Sequence, residues 1–176
     1  MATSNRRLPA RSELLAILAA VAVPIHIWAL FRIVAGIPQW LLRLTPWQLI
    51  GVVSYSLMLT LIETLLVFLF VLVVIALVAR RRLPANLVPA VTVFAGLTTA
   101  FMVALLLISL RDGISLILTL VGYVVLLVVS LVLVGRSQRL AGMLNWLVDR
   151  LVPLALLYIF FDVLATVIVI VRNLFA

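Results

Sequence analysis

The chain has 176 residues, of which 68% are apolar and 10% charged, whereas soluble domains are about half apolar and about a quarter charged. A water-soluble fold of this length has too little polar surface to cover that excess, so the excess faces lipid. All thirteen basic residues are Arg, and with five acids they give a net charge of +8. They fall between apolar runs, which points to membrane orientation signals and head-group contacts and excludes a nucleic-acid face. There is no Cys and a single His. Disulfides, thiolate catalysis, iron–sulfur ligation and multi-His metal sites within one chain are therefore excluded, and no cofactor or metal is expected.

The first predicted span covers 14–35. Arg6, Arg7 and Arg11 precede it in the manner of a signal peptide, but the apolar run is long enough to cross a bilayer, so a retained helix is expected. Ser12 is the expected cap, and Glu13 suits the positive end of the helix dipole. Pro24 is expected to kink the helix, and Gly36-Ile37-Pro38 to end it. Phe31-Arg32-Ile33-Val34-Ala35-Gly36 resembles small membrane subunits of tripartite solute transporters over these residues alone. The acid such subunits carry soon afterwards is absent and five helices are one too many, so the family is not assigned.

Trp40, Arg43 and Trp47 follow, and two Trp so close together suit a membrane–water interface. The second span, 47–79, starts from the cap Thr45-Pro46 and stops at Arg80–Arg82. It exceeds the roughly 20 residues that a perpendicular crossing needs, so tilt or solvated end turns are expected. The third span, 86–110, follows Pro84 and Asn86 with Pro89 in its first turn. Arg111-Asp112-Gly113 is a predicted tight turn into the fourth span, 114–134, which makes an antiparallel helical hairpin ending at Gly135.

Residues 137–150 are less apolar. Leu140, Leu144, Leu147 and Leu151 recur at helical spacing with Arg136, Arg139, Asn145 and Asp149 between them, as in a short interfacial helix. An irregular loop running into the next span is the alternative. The fifth span is 151–171, with Pro153 in its first turn. The expected architecture is one all-α domain over residues 1–176, a polytopic transmembrane helix bundle of about five spans.

Five spans place nine Arg on one side (Arg6, Arg7, Arg11, Arg80, Arg81, Arg82, Arg136, Arg139, Arg150) and four on the other (Arg32, Arg43, Arg111, Arg172). The positive-inside rule then predicts a cytoplasmic N-terminus and an outer C-terminus. Short loops and the Arg bias favour a bacterial inner membrane.

Glu63, Asp162 and His26 fall at similar depth inside predicted spans. An acid at a helix centre costs about 2.5–3.5 kcal/mol on insertion scales, so each is expected to face protein or water. Ser56, Thr60, Glu63 and Thr64 form a polar stripe, and Tyr158, Asp162 and Thr166 form a second. Tyr158 and Asp162 lie one turn apart, within reach of a hydrogen bond along the helix. Turning both stripes inward, with His26 opposite, assembles the candidate intramembrane polar site: Glu63, Asp162, His26, Thr60, Ser56 and Tyr158. Arg32 is expected to snorkel to head groups. Gly96, Ala100 and Ala104, with Ser115, Thr119 and Gly122, are candidate helix-packing positions, within the hairpin or against another chain.

No phosphate-binding loop, dinucleotide fingerprint, nucleophile elbow or zinc-protease helix occurs. The expected function is a non-catalytic helical subunit of a homo- or hetero-oligomeric membrane complex, whose partners are lipids and copies of itself or other membrane subunits. A small proton- or cation-coupled transporter or channel using the mid-membrane acids is the alternative. An intramembrane enzyme is a third class.

Overall fold

The computed structural model describes residues 9–78, 86–108 and 113–175, with the side chains of residues 78, 106–108 and 113–116 outside that description. Arg6, Arg7, Arg80–Arg82, Pro84 and the Arg111-Asp112 step, all used above, lie outside the described residues. The described chain forms five helices: α1 (Arg11–Leu41), α2 (Pro46–Val78), α3 (Leu87–Ile108), α4 (Gly113–Arg136) and α5 (Gln138–Leu174). All five are long and apolar enough to cross a membrane, as a multi-pass membrane protein requires.

The core is built around the first half of α1. Ala16, Ile17, Ala19, Ala20, Val21, Ala22 and Val23 are all buried, so this two-turn stretch is covered nearly all round. Four of those seven residues are Ala, and small side chains let neighbouring backbones come close. The surrounding shell comes from Val71 and Ile75 of α2, Val91 and Ala95 of α3, and Val148 and Ala155 of α5. These residues belong to the last half of α2 and the first halves of α3 and α5. Helices α1 and α5 therefore run parallel, and α2 runs against both.

Helix α5 carries a seven-residue repeat. Ala141, Val148, Ala155, Asp162 and Val169 are all buried at that interval. On α1, Ala19, His26 and Ile33 repeat with the same spacing and are also buried. His26 and Asp162 are 136 positions apart, and the same offset pairs Ala19 with Ala155 and Ile33 with Val169. A strict seven-residue interval keeps a narrow seam facing one partner along a gently supercoiled pair.

Several helix ends differ from expectation. Ala10 rather than Ser12 is the N-cap of α1, because Glu13 reaches back and accepts the Ala10 N–H at 2.7 Å. Helix α1 then runs unbroken through Pro24 and Pro38 to Leu41. Gly36 does not end it. The Trp40 ring folds back over this residue, where a Cβ would lie 2.6 Å from the ring. The cap of α2 is as expected: Thr45 Oγ1 accepts the Gln48 N–H at 3.4 Å and Gln48 Oε1 accepts the Thr45 N–H at 2.9 Å, a reciprocal capping box.

The 137–150 segment is neither a separate interfacial helix nor a loop. It is the first third of α5, a single helix of 37 residues, about 56 Å long and nearly twice the thickness of a hydrocarbon core. Pro153 lies in its interior rather than in a first turn. The break before it comes at Ser137, just past Arg136, where α4 ends. There the Ser137 hydroxyl caps α5 by accepting the Leu140 N–H at 3.3 Å.

The α3–α4 hairpin is pinned at two heights. Asn86 Nδ2 donates to the Val134 carbonyl at 3.2 Å. Further along, Thr98 donates to the Phe94 carbonyl and accepts the Tyr123 O–H at 2.8 Å. The Tyr123 ring stacks on Phe101 with centroids 4.3 Å apart. Beyond these contacts α4 stands at the edge of the bundle, and its large apolar residues from Ile117 to Leu133 are mostly exposed.

Candidate functional site

His26 and Asp162 meet across the α1–α5 seam, with Nε2 and Oδ2 at 2.6 Å and side-chain exposures of 1% and 0%. The other ring nitrogen, Nδ1, lies 2.7 Å from the Ala22 carbonyl oxygen. A carbonyl only accepts, so Nδ1 carries a proton and donates it there. One further proton then lies between Nε2 and Oδ2. The pair has zero net charge whichever atom holds that proton, which suits burial in an apolar seam.

Tyr158, one turn before Asp162, presents its ring face to the imidazole, with centroids 5.0 Å apart and planes within 1°. The expected Tyr158–Asp162 hydrogen bond is replaced by this stack. Asp162 thus holds the edge of the imidazole and Tyr158 holds its face, which fixes the ring in both directions.

Two fully buried oxygens have no hydrogen-bond partner among the described residues: Asp162 Oδ1 and Thr64 Oγ1. Ser56 donates to the Val52 carbonyl at 2.9 Å and Thr60 to the Ser56 carbonyl at 2.8 Å. Thr64 breaks this pattern of hydroxyls bonded one turn back. Thr60 and Thr64 are both buried, while Ser56 is half-buried.

Glu63 does not join this group. It is exposed on the outside of α2, among the exposed side chains of Leu59, Ile62, Leu66 and Phe70. The reason is angular. Successive helical residues are about 100° apart, so a face that buries Thr60, Thr64, Val71 and Ile75 turns Glu63 away, about 100° from Thr64. Of the candidate polar site, the structure brings together His26, Asp162 and Tyr158, buries Thr60, half-buries Ser56 and leaves Glu63 on the rim. Arg32 is exposed.

Of the small-residue positions, three lie on exposed faces. Gly96 and Ala100 are exposed and Ala104 is half-buried; on α4, Gly122 is exposed and Thr119 half-buried. A Cβ on Gly96 or Gly122 would meet nothing within 4 Å. The Ser115 side chain lies outside the described residues. Thr98, Phe101 and Tyr123 make a hairpin contact; the sequence signal was the lone Tyr in α4.

At the far end of α2 and α5 a second polar group forms, one that sequence reasoning did not assemble. Arg172 Nη1 donates to the Trp47 carbonyl at 3.2 Å, and the guanidinium lies 5.9 Å from the Trp47 ring centroid. Tyr55 donates to Asn173 Oδ1 at 2.7 Å. Gly51 lets the arginine lie flat, since a Cβ there would fall 1.5 Å from Nη1. The pattern of Trp47, Gly51 and Tyr55 at four-residue spacing is its trace in the sequence.

Among protein-family models, curated proteins and solved structures, none matches the chain.

Proposed function

We propose that the chain is a non-catalytic helical subunit of a larger membrane assembly, and that the outer face of α2 around Glu63 docks on a membrane helix of another chain. The observation that carries this reading is an acid in the middle of a long apolar helix with exposed Leu59, Ile62, Leu66 and Phe70 around it. Facing lipid, such a group costs about 3 kcal/mol. A polar or basic partner side chain from outside the chain removes that cost. The exposed Gly96–Ala100 strip and the bare flank of α4 give further surface for close helix contact.

The His26–Asp162 pair fits the same reading as an internal pin. One polar layer in an apolar seven-residue seam fixes register and direction. With exposures of 1% and 0%, it offers no accessible atom to a passing ion, which favours a structural part over a transport path. In the proposed layout, Arg11, Arg136, Arg139 and Arg150 mark the cytoplasmic end and Arg43 and Arg172 the outer end of the bundle. A bacterial inner membrane is the proposed location.

Complex size in mild detergent tests the reading. The wild type is expected to migrate as an assembly, Glu63→Gln to keep it in part through hydrogen bonding, and Glu63→Leu to release a folded monomer. A monomeric wild type, or a Glu63→Leu chain in an unchanged assembly, overturns it. Vesicles carrying the wild type are expected to show no proton or cation flux above protein-free vesicles.

A further inference from the structure

Between α2 and α5 lies a groove of about 300 Å³, lined by Leu49, Ile50, Val53 and Leu57 on one wall and by Phe161 and Ile168 on the other. It runs along the helices toward the Trp47–Arg172 end. Ile168 is one turn below Arg172, and Ile50 adjoins Gly51, across which the guanidinium lies. An apolar groove on the flank of a membrane bundle, with a guanidinium lying over Gly51 beside the lining residue Ile50, has the shape and polarity of one lipid tail below one phosphate.

Arg172 makes no ion pair among the described residues, and its neighbours Trp47, Tyr55 and Asn173 are neutral. One of its N–H groups is used on the Trp47 carbonyl, and guanidinium has five donors in a planar fork that matches two phosphate oxygens. The bond to Trp47 and the glycine beneath hold the fork in place before any ligand arrives.

We propose that this groove binds a phospholipid with a net-negative head group, its acyl chain between α2 and α5 and its phosphate on Arg172. A guanidinium with no ion pair among the described residues selects an anionic over a zwitterionic lipid, since each basic residue near such a surface adds attraction. The site lies wholly within one chain, so it stands or falls apart from the Glu63 contact.

The test uses the purified full chain, delipidated in mild detergent and titrated with phosphatidylglycerol or phosphatidylcholine of identical acyl chains, with bound lipid counted by native mass spectrometry. The wild type is expected to bind phosphatidylglycerol roughly fivefold more tightly, the scale of one basic residue near an anionic surface. Arg172→Gln should remove the preference while phosphatidylcholine binding persists, and Arg172→Lys should retain most of it. Leu57→Trp should weaken both lipids by filling the groove. Equal affinity of the wild type for the two lipids overturns the proposal, as does a preference that survives Arg172→Gln or binding indifferent to Leu57→Trp. Circular dichroism of each variant confirms that it remains helical.

Discussion

His26 of α1 and Asp162 of α5 share one proton across 2.6 Å, and buried residues recur one heptad away on each helix, Ala19 and Ile33 on α1 and Ala155 and Val169 on α5. One polar pair in an otherwise apolar seam between parallel helices fixes their register. A slip of one residue would set His26 against an apolar side chain and leave a buried carboxyl group unpaired, at a cost of about 1–3 kcal/mol.

Removing one member of the pair should therefore cost more than removing both. Asp162→Ala leaves His26 Nε2 buried and unpaired, and is expected to lower unfolding free energy by about 1–3 kcal/mol. Asp162→Asn should cost less, because the amide N–H can donate to Nε2 of the neutral ring. The double change His26→Leu with Asp162→Leu should recover much of the loss, as apolar replacement of buried polar pairs often does. Steric-trap unfolding in bicelles measures all three. An Asp162→Ala chain as stable as wild type would remove the pinning role.

The alanines of the seam predict a packing effect. Ala155→Leu adds bulk at a layer where Ala19 and Ala155 are 0% and 2% exposed, and overpacking of this kind costs about 1–3 kcal/mol. Leu157→Ala, at a residue 48% exposed, should change stability little in the same assay. Equal effects at the two positions would contradict the parallel α1–α5 seam.

The hairpin contact can be separated into its two parts. Tyr123→Phe keeps the ring on Phe101 and removes the O–H donated to Thr98. It is expected to cost about 0.6 kcal/mol, the average for hydrogen bonds between membrane helices. Tyr123→Ala also loses the stack and should cost several times more. If the two substitutions are equivalent, the ring contact contributes nothing.

Much of the fold was legible in the sequence because it rests on hydropathy. The five apolar runs became five helices, and Thr45-Pro46 capped α2 as its residue types require. Helix ends read less well, since Gly and Pro mark breaks only where nothing else holds the backbone. Trp40 lies over Gly36 and carries α1 on to Leu41, and the buried Ala141 and Val148 carry α5 back to Gln138. At the candidate site, depth was readable but direction was not. His26 and Asp162 were matched in height by counting residues from the helix ends. The facing of Glu63 depended on which side of Thr60 and Thr64 met the bundle, and a stripe with polar residues on both flanks does not specify that. The seven-residue run of Ala141, Val148, Ala155, Asp162 and Val169 held the answer for α5. It was hidden because nearly every neighbour is apolar as well, so the buried side differs in size more than in polarity.

The most direct test of the assembly reading places a photoreactive side chain at Leu66, one turn from Glu63 on the exposed face of α2, and illuminates intact membranes. The account predicts a discrete adduct between this position and a membrane-helix residue of a second polypeptide, a copy of the chain or another subunit, that is lost when Glu63→Leu is combined with the probe. Adducts with lipid alone, unchanged by Glu63→Leu, would contradict it.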